Sequence, residues 1–200
     1  MSDCPVQTTS QEVLSEAEIE MALAYLEIAA YGLAESVRGL AQPQWTLKPR
    51  SPWSIAEIVE HLARLEELFV GRIALRLIDA PAGSADRDRE ETDALVRSVA
   101  SDRSARVVLP GRVSLADDAP SQIAPRGEWG PEESMRCFRD GRTRTADFLR
   151  TSSADLRGHV VEHPALGALD GYQWVLFLAA HSVRHTKQIL EAKAEPGFPV

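Results

Sequence analysis

Cysteine is nearly absent from this chain of 200 residues. Only Cys4 and Cys137 occur, and two cysteines so far apart make neither a disulfide framework nor a CxxC metal or redox motif. Long apolar runs are missing too: no segment offers 18 uninterrupted apolar residues, so no membrane span is expected. The opening "MSDCPVQTTSQEVLSEAE" lacks the basic region and apolar stretch of a secretion signal, and the expected setting is a reducing cytoplasm. A basic stripe is also lacking. The formal charge is −8 and the arginines are scattered among acids, which disfavours nucleic acid and anionic membrane surfaces as partners. Alternating strand patterns of useful length, internal repeats and a βαβ rhythm are all absent.

Helical periodicity is what remains. Hydrophobic residues make up 44% and charged residues 26%, ordinary for one globular domain of this length. Ser15 and Glu18 stand at capping-box spacing. Behind them Ile19, Leu23, Leu26, Ala30, Leu33, Val37 and Leu40 recur at three- and four-residue steps, which predicts an amphipathic helix. The prolines of "AQPQWTLKPRSPW" end it. Ser54 and Glu57 repeat the start signal, and Ile58, Leu62, Leu65, Phe69, Ile73 and Leu77 supply the next buried stripe. From 79 to 130 the chain turns polar and then Pro/Gly-rich, with a short helix expected around Thr92–Ala100. Loops of that length are either functional or disordered. Pro131 suits a first helical position and opens a weaker amphipathic helix, interrupted at Gly141. "ADLRGHVVEHPALGALDG" is expected to be loop, and a last helix runs from about Tyr172 to Ala192. The fold expected is all-α: a four-helix bundle spanning 15–195, with a flexible tail at 1–14 and a long irregular insertion at 79–130 between the second and third main helices.

The last helix carries an anomaly. In "YQWVLFLAAHSVRHTKQIL" an apolar segment holds His181 and His185 one turn apart, on a stripe with Trp174, Leu178 and Gln188. Residues four apart are separated by about 6 Å of rise and point the same way, so both imidazoles can reach one ion; a surface or hydrogen-bonded pair is the alternative. Ser182 occupies the place where an HExxH helix carries its glutamate, which argues against a metalloprotease. His61 falls at the edge of the second helix's buried stripe, either as a core histidine or as a third nitrogen ligand. Bundles build metal sites from facing helices, and three protein ligands would leave a position open to water or substrate. Glu57, one turn before His61, is either the capping partner of Ser54 or a carboxylate that orients His61 or acts as general base. Arg184 is expected at the surface, His159 is expected exposed, and His163 is expected to shape a pocket rather than ligate. Of the tryptophans at 45, 53, 129 and 174, expected mostly in packing, Trp129 lies in the loop that could cover the site.

"SPWSIAEIVEHLARLEE", followed far downstream by "HPALGALDGYQWVLFLAAHSVRHTKQI", resembles the DinB/YfiT-like superfamily of small helical-bundle proteins. The likeness is loose over the first helix and does not extend from Asp79 to Trp129. It implies a four-helix bundle holding a divalent metal, nickel or zinc, on His61, His181 and His185. The activity expected on that basis is hydrolysis of a small molecule through metal-activated water. The alternatives are an S-transferase using a low-molecular-weight thiol such as bacillithiol or mycothiol, and a non-catalytic metal-binding bundle. The nearly all-round apolarity of "WVLFLAA" fits either a homodimer surface or a fully buried central helix.

Overall fold

A computed structural model describes residues 14–48, 52–79, 88–103 and 121–199. Its elements in chain order are α1 (Glu16–Val37), α2 (Gln42–Thr46), α3 (Ile55–Leu68), a π-helical turn (Phe69–Ile73), α4 (Ala74–Asp79), α5 (Arg89–Ser101), α6 (Pro131–Thr151), β1 (Val160–His163), β2 (Gly167–Asp170) and α7 (Gly171–Lys193). The fold is predominantly helical, built on α1, α3, α6 and α7, as the periodicity predicts.

Both expected capping boxes form. Ser15 Oγ accepts from the Glu18 amide while the Glu18 carboxylate accepts from the Ser15 amide at 2.8 Å, and Ser54 and Glu57 do the same at the head of α3. A third box, Asp170 with Gln173, starts α7. α1 stops at Val37 rather than Leu40, because Gly39 takes a left-handed φ of 71°, which only glycine adopts at no steric cost. Its buried face is Ala22, Leu26, Ala29, Leu33 and Val37, offset from the predicted stripe and leaving Ile19, Leu23 and Ala30 half-buried.

Three departures have physical causes. The segment expected to be loop before α7 contains an antiparallel hairpin, pairing Val160 with Asp170 and His163 with Gly167. Each strand is four residues long, too short for alternation to register. α6 runs unbroken through Gly141, contrary to the expected interruption. A Cβ there would stand 2.5 Å from Cβ of Glu66 and 3.7 Å from its carbonyl carbon, so this glycine permits close approach of α3 and α6 instead of breaking the helix. The short helix expected at Thr92–Ala100 is longer, and α5 packs against α7.

α7 sits centrally, with α1 along one side, α5 on another and α3 also touching it. Every residue from Gly171 to Ser182 is buried. The apolarity of this helix is thus consumed inside one chain and does not itself call for a second copy. α3 is also buried nearly all round, its polar Glu60, His61, Arg64 and Glu66 included. One face meets α6, and another is covered by the chain segment just before α6. Two apolar clusters surround these helices, one containing Leu26, Phe69, Leu149 and Leu178, the other Leu33, Ile58, Leu62 and Phe138. Burying each such side chain contributes about 1.5–3 kcal/mol. Among the described residues, no helix is long and apolar enough to cross a membrane. Residues 1–13 of the expected tail, with Cys4, lie outside the described residues, as do 80–87 and 104–120 of the insertion, while Leu14 is buried.

Candidate metal centre

α3 carries His61 inward and α7 carries His181 and His185 one turn apart, and the three rings meet. Nε2 of His61 lies 2.9 Å from Nε2 of His181, and Nε2 of His185 lies 3.1 Å from the same atom. The candidate ligand atoms all fall within 4.8 Å of one another, and all three residues are buried. The structure therefore brings together the histidines that the sequence pattern singled out.

Their protons are constrained from behind. His61 Nδ1 faces the Ile123 carbonyl at 2.8 Å. A carbonyl only accepts, so the proton sits on Nδ1 and the lone pair on Nε2 faces the cluster. His185 Nδ1 faces Oε1 of Gln188 at 2.8 Å, with the same consequence. His181 Nδ1 is buried and has no hydrogen-bond partner among the described residues. A single proton on His181 Nε2 can satisfy one neighbour but not both, so at least one lone pair faces another base. Burial lowers the His61 pKa to about 4, against a smaller upward pull from the Ile123 hydrogen bond. Burial, then mutual repulsion between the rings, holds His181 and His185 well below the ordinary value of 6.5. The cluster thus stays in the neutral form that ligates metals. Three neutral imidazole nitrogens converging in a protected site, two of them oriented by outer hydrogen bonds, fit a divalent cation.

The neighbours differ from expectation. Trp53, half-buried, packs on the cluster, its ring centroid 4.8 Å from that of His61 and 6.2 Å from that of His185. Trp129, in the loop that could cover the site, lies under the Arg64 guanidinium at 4.4 Å. Glu57 has partners on both oxygens: Oε1 receives Lys48 Nζ at 2.7 Å, and Oε2 receives the Ser54 amide and hydroxyl at 2.8 and 2.9 Å. Partial burial pushes its pKa up, but the hydrogen bonds from Lys48 and Ser54 outweigh this and leave it below the usual carboxylate range. Arg184, expected at the surface, is 2% exposed and donates to the Asp102 carbonyl at the end of α5. Ser182 faces α6, donating to Leu178 O and accepting from Arg142. His159 is half-buried rather than exposed.

His163 ends β1 at 5% exposure. Its Nδ1 accepts the amides of Ala165 and Leu166, both at 3.1 Å, closing the His-Pro turn of the hairpin. Its ring contacts Phe177 at 4.4 Å, and Phe177 in turn stacks on His181 at 5.0 Å. It supports the site through Phe177 and is not in the ligand cluster.

Sequence reasoning missed the roles of Trp53, Glu60 and the Ile123 carbonyl. Gln188, three residues after His185 on the same helix face, could have been assigned from spacing alone; a backbone carbonyl carries no residue signature.

The chain is 25% identical over 158 residues to the uncharacterized protein YuaE of Bacillus subtilis (strain 168), an alignment covering 78% of this chain and 88% of that protein. No solved structure gives a significant match. Residues 25–189, which hold all three clustered histidines, match the DinB superfamily, and the chain belongs to that superfamily.

Proposed function

We propose that this protein is a metal-dependent enzyme that hydrolyses a small molecule at a divalent cation, zinc or nickel, held by Nε2 of His61, His181 and His185. One observation carries the reading: three neutral imidazoles from two helices aim lone pairs at one point that no hydrogen bond within the cluster can fully satisfy. Nitrogen ligands of this kind suit zinc and nickel alike. A cation on three protein ligands supplies Lewis acidity, polarising a carbonyl or acidifying water toward neutrality. The chain's own contribution is to hold the rings neutral and oriented, through Ile123 O and Gln188, and to wall one side with Trp53. Among the described residues the cluster counts three ligands and no fourth, which favours a catalytic over a closed structural site.

The test begins with metal content by native mass spectrometry, then ester and amide substrates on loaded protein. His61→Ala, His181→Ala and His185→Ala should each abolish loading and turnover. Loading without hydrolysis, but with capture of bacillithiol or mycothiol, would replace the hydrolase by the S-transferase. Absence of metal in protein exposed to zinc and nickel would end both.

A further inference from the structure

The ten residues before α6, 121–130, contain no helix or strand, yet they supply the carbonyl that fixes the proton on His61. One buried carboxylate gathers their main-chain donors. Glu60, on α3 beside His61, is 1% exposed. It accepts the amides of Arg126 and Gly127 at 3.1 and 2.8 Å, successive N–H groups folded around an anion. Its Oε1 also receives Arg64 Nε at 2.9 Å and Nη2 at 2.7 Å. Arg64 reaches on to Glu128 at 2.7 Å and covers the ring of Trp129. Gly127 takes a φ of 68°, the left-handed conformation that lets the strap turn back over the carboxylate. Ile123 lies three residues upstream of the first anchored amide, so its carbonyl is registered over the imidazole by Glu60.

A buried carboxylate with one arginine would form an ordinary ion pair. Here it also receives two main-chain donors from the segment that meets His61, and charge-assisted bonds of this type are the stronger ones. We propose that Glu60 is a positioning residue of the histidine centre, acting through the 121–130 strap to keep the His61 proton on Nδ1 and Nε2 bare toward the cation. The inference rests on the metal reading above. It makes strap closure and metal affinity one linked equilibrium: whatever loosens the strap weakens the metal, and the metal tightens the strap by the same factor.

The experiment compares the full chain with Glu60→Gln, Gly127→Ala and a control, Glu66→Gln. Gln retains the shape but offers a single acceptor oxygen and no charge. Gly127→Ala strains the turn from the strap's own side and leaves α3 intact, which covers the event that Glu60→Gln fails to fold. Glu66 is equally buried on the same helix, but its partners are Arg142 and Thr145 on α6. Two readouts are taken: Zn²⁺ affinity by chelator competition, and the His61 tautomer from ring ¹⁵N shifts of the metal-free protein. Glu60→Gln and Gly127→Ala should each weaken Zn²⁺ about tenfold or more, in the range seen for outer partners of metal ligands, and give a mixed His61 tautomer, with Glu66→Gln unchanged in both. An unaltered tautomer and affinity in the two strap variants overturns the proposal, as does an equal change in Glu66→Gln. If the unmodified protein binds no Zn²⁺ the metal reading fails, while the tautomer measurement decides separately whether Glu60 sets the ring.

Discussion

Two buried polar clusters flank α7, and they are built on opposite terms. Around Arg157 a single guanidinium meets Glu18 at 2.6 Å, Asp93 at 2.8 Å and Asp170 at 3.0 Å, with the Tyr172 ring 4.1 Å beneath it. Donors there find acceptors, and the cluster ties α1, α5 and the head of α7 together without outside help. The histidine cluster has acceptors facing acceptors. Polar groups are buried at a cost that partners must offset. A cluster whose donors and acceptors match reads as architecture, and one whose acceptors face each other reads as a binding site.

The sharpest way to break this contrast is Arg157→Met. It strands Asp93 and Asp170 in the interior and should cost about 3–5 kcal/mol, measured by urea denaturation of the metal-free protein; a loss below about 1 kcal/mol would make the cluster an ordinary surface ion pair. Acid should weaken the histidine cluster next. The folded-state pKa of His61 is depressed to about 4, so its contribution is complete above the unfolded value near 6.5 and is lost as pH falls through 4, roughly 3 kcal/mol from this ring alone. Asp170 runs the other way, because burial lifts its pKa to about 6 against the pull of Arg157; its contribution is complete below the unfolded value of 3.8 and is lost as pH rises through about 6. With three imidazoles against the two carboxyls that burial raises, Asp170 and Glu66, metal-free protein should lose stability from pH 6.5 to 4. A stability that rises over that window would reverse the assignment.

A smaller effect with an unusual sign is expected for His181→Phe. Removing the central base relieves facing lone pairs and an orphaned Nδ1, so metal-free stability should hold or rise by about 1 kcal/mol, while the stabilisation that Zn²⁺ gives the unmodified protein vanishes. Thermal melts with and without Zn²⁺ would show it, and a large loss in the metal-free form would mean that the cluster is self-satisfied. The smallest change is Glu57→Gln. As a part-buried capping partner at the head of α3 it should cost about 0.5–1 kcal/mol with Zn²⁺ affinity intact; the alternative role of general base would additionally require turnover to fall at least a hundredfold, and an unchanged rate would leave only the cap.

Local signals were the legible ones. Ser15 with Glu18 and Ser54 with Glu57 lie three residues apart, and His181 with His185 four, so their pairing follows from helix geometry. His61 could be nominated from its stripe, with the family resemblance supplying the reason to join it to the other two. What stayed hidden depended on contacts distant in sequence. Glu60 carries no local signal, because the amides that bury it are 66 and 67 residues away. That Trp53 packs on His185 and Trp129 on Arg64 also depends on residues far apart in the chain. Gly141 was taken for an interruption because propensity alone says so; its purpose shows only against Glu66 on another helix.

That glycine has a mechanical consequence. Where Gly141 lets the Glu66 side chain rest directly on the α6 backbone, the two helices cannot be spread without opening a void, so this point serves as a fulcrum. His61 lies five residues, about 7 Å of helix rise, toward the N-terminal end of α3, and Trp53 lies just before that helix. Any breathing of α3 against α6 should therefore grow from Glu66 toward Ser54, and amide exchange along α3 should quicken in that direction.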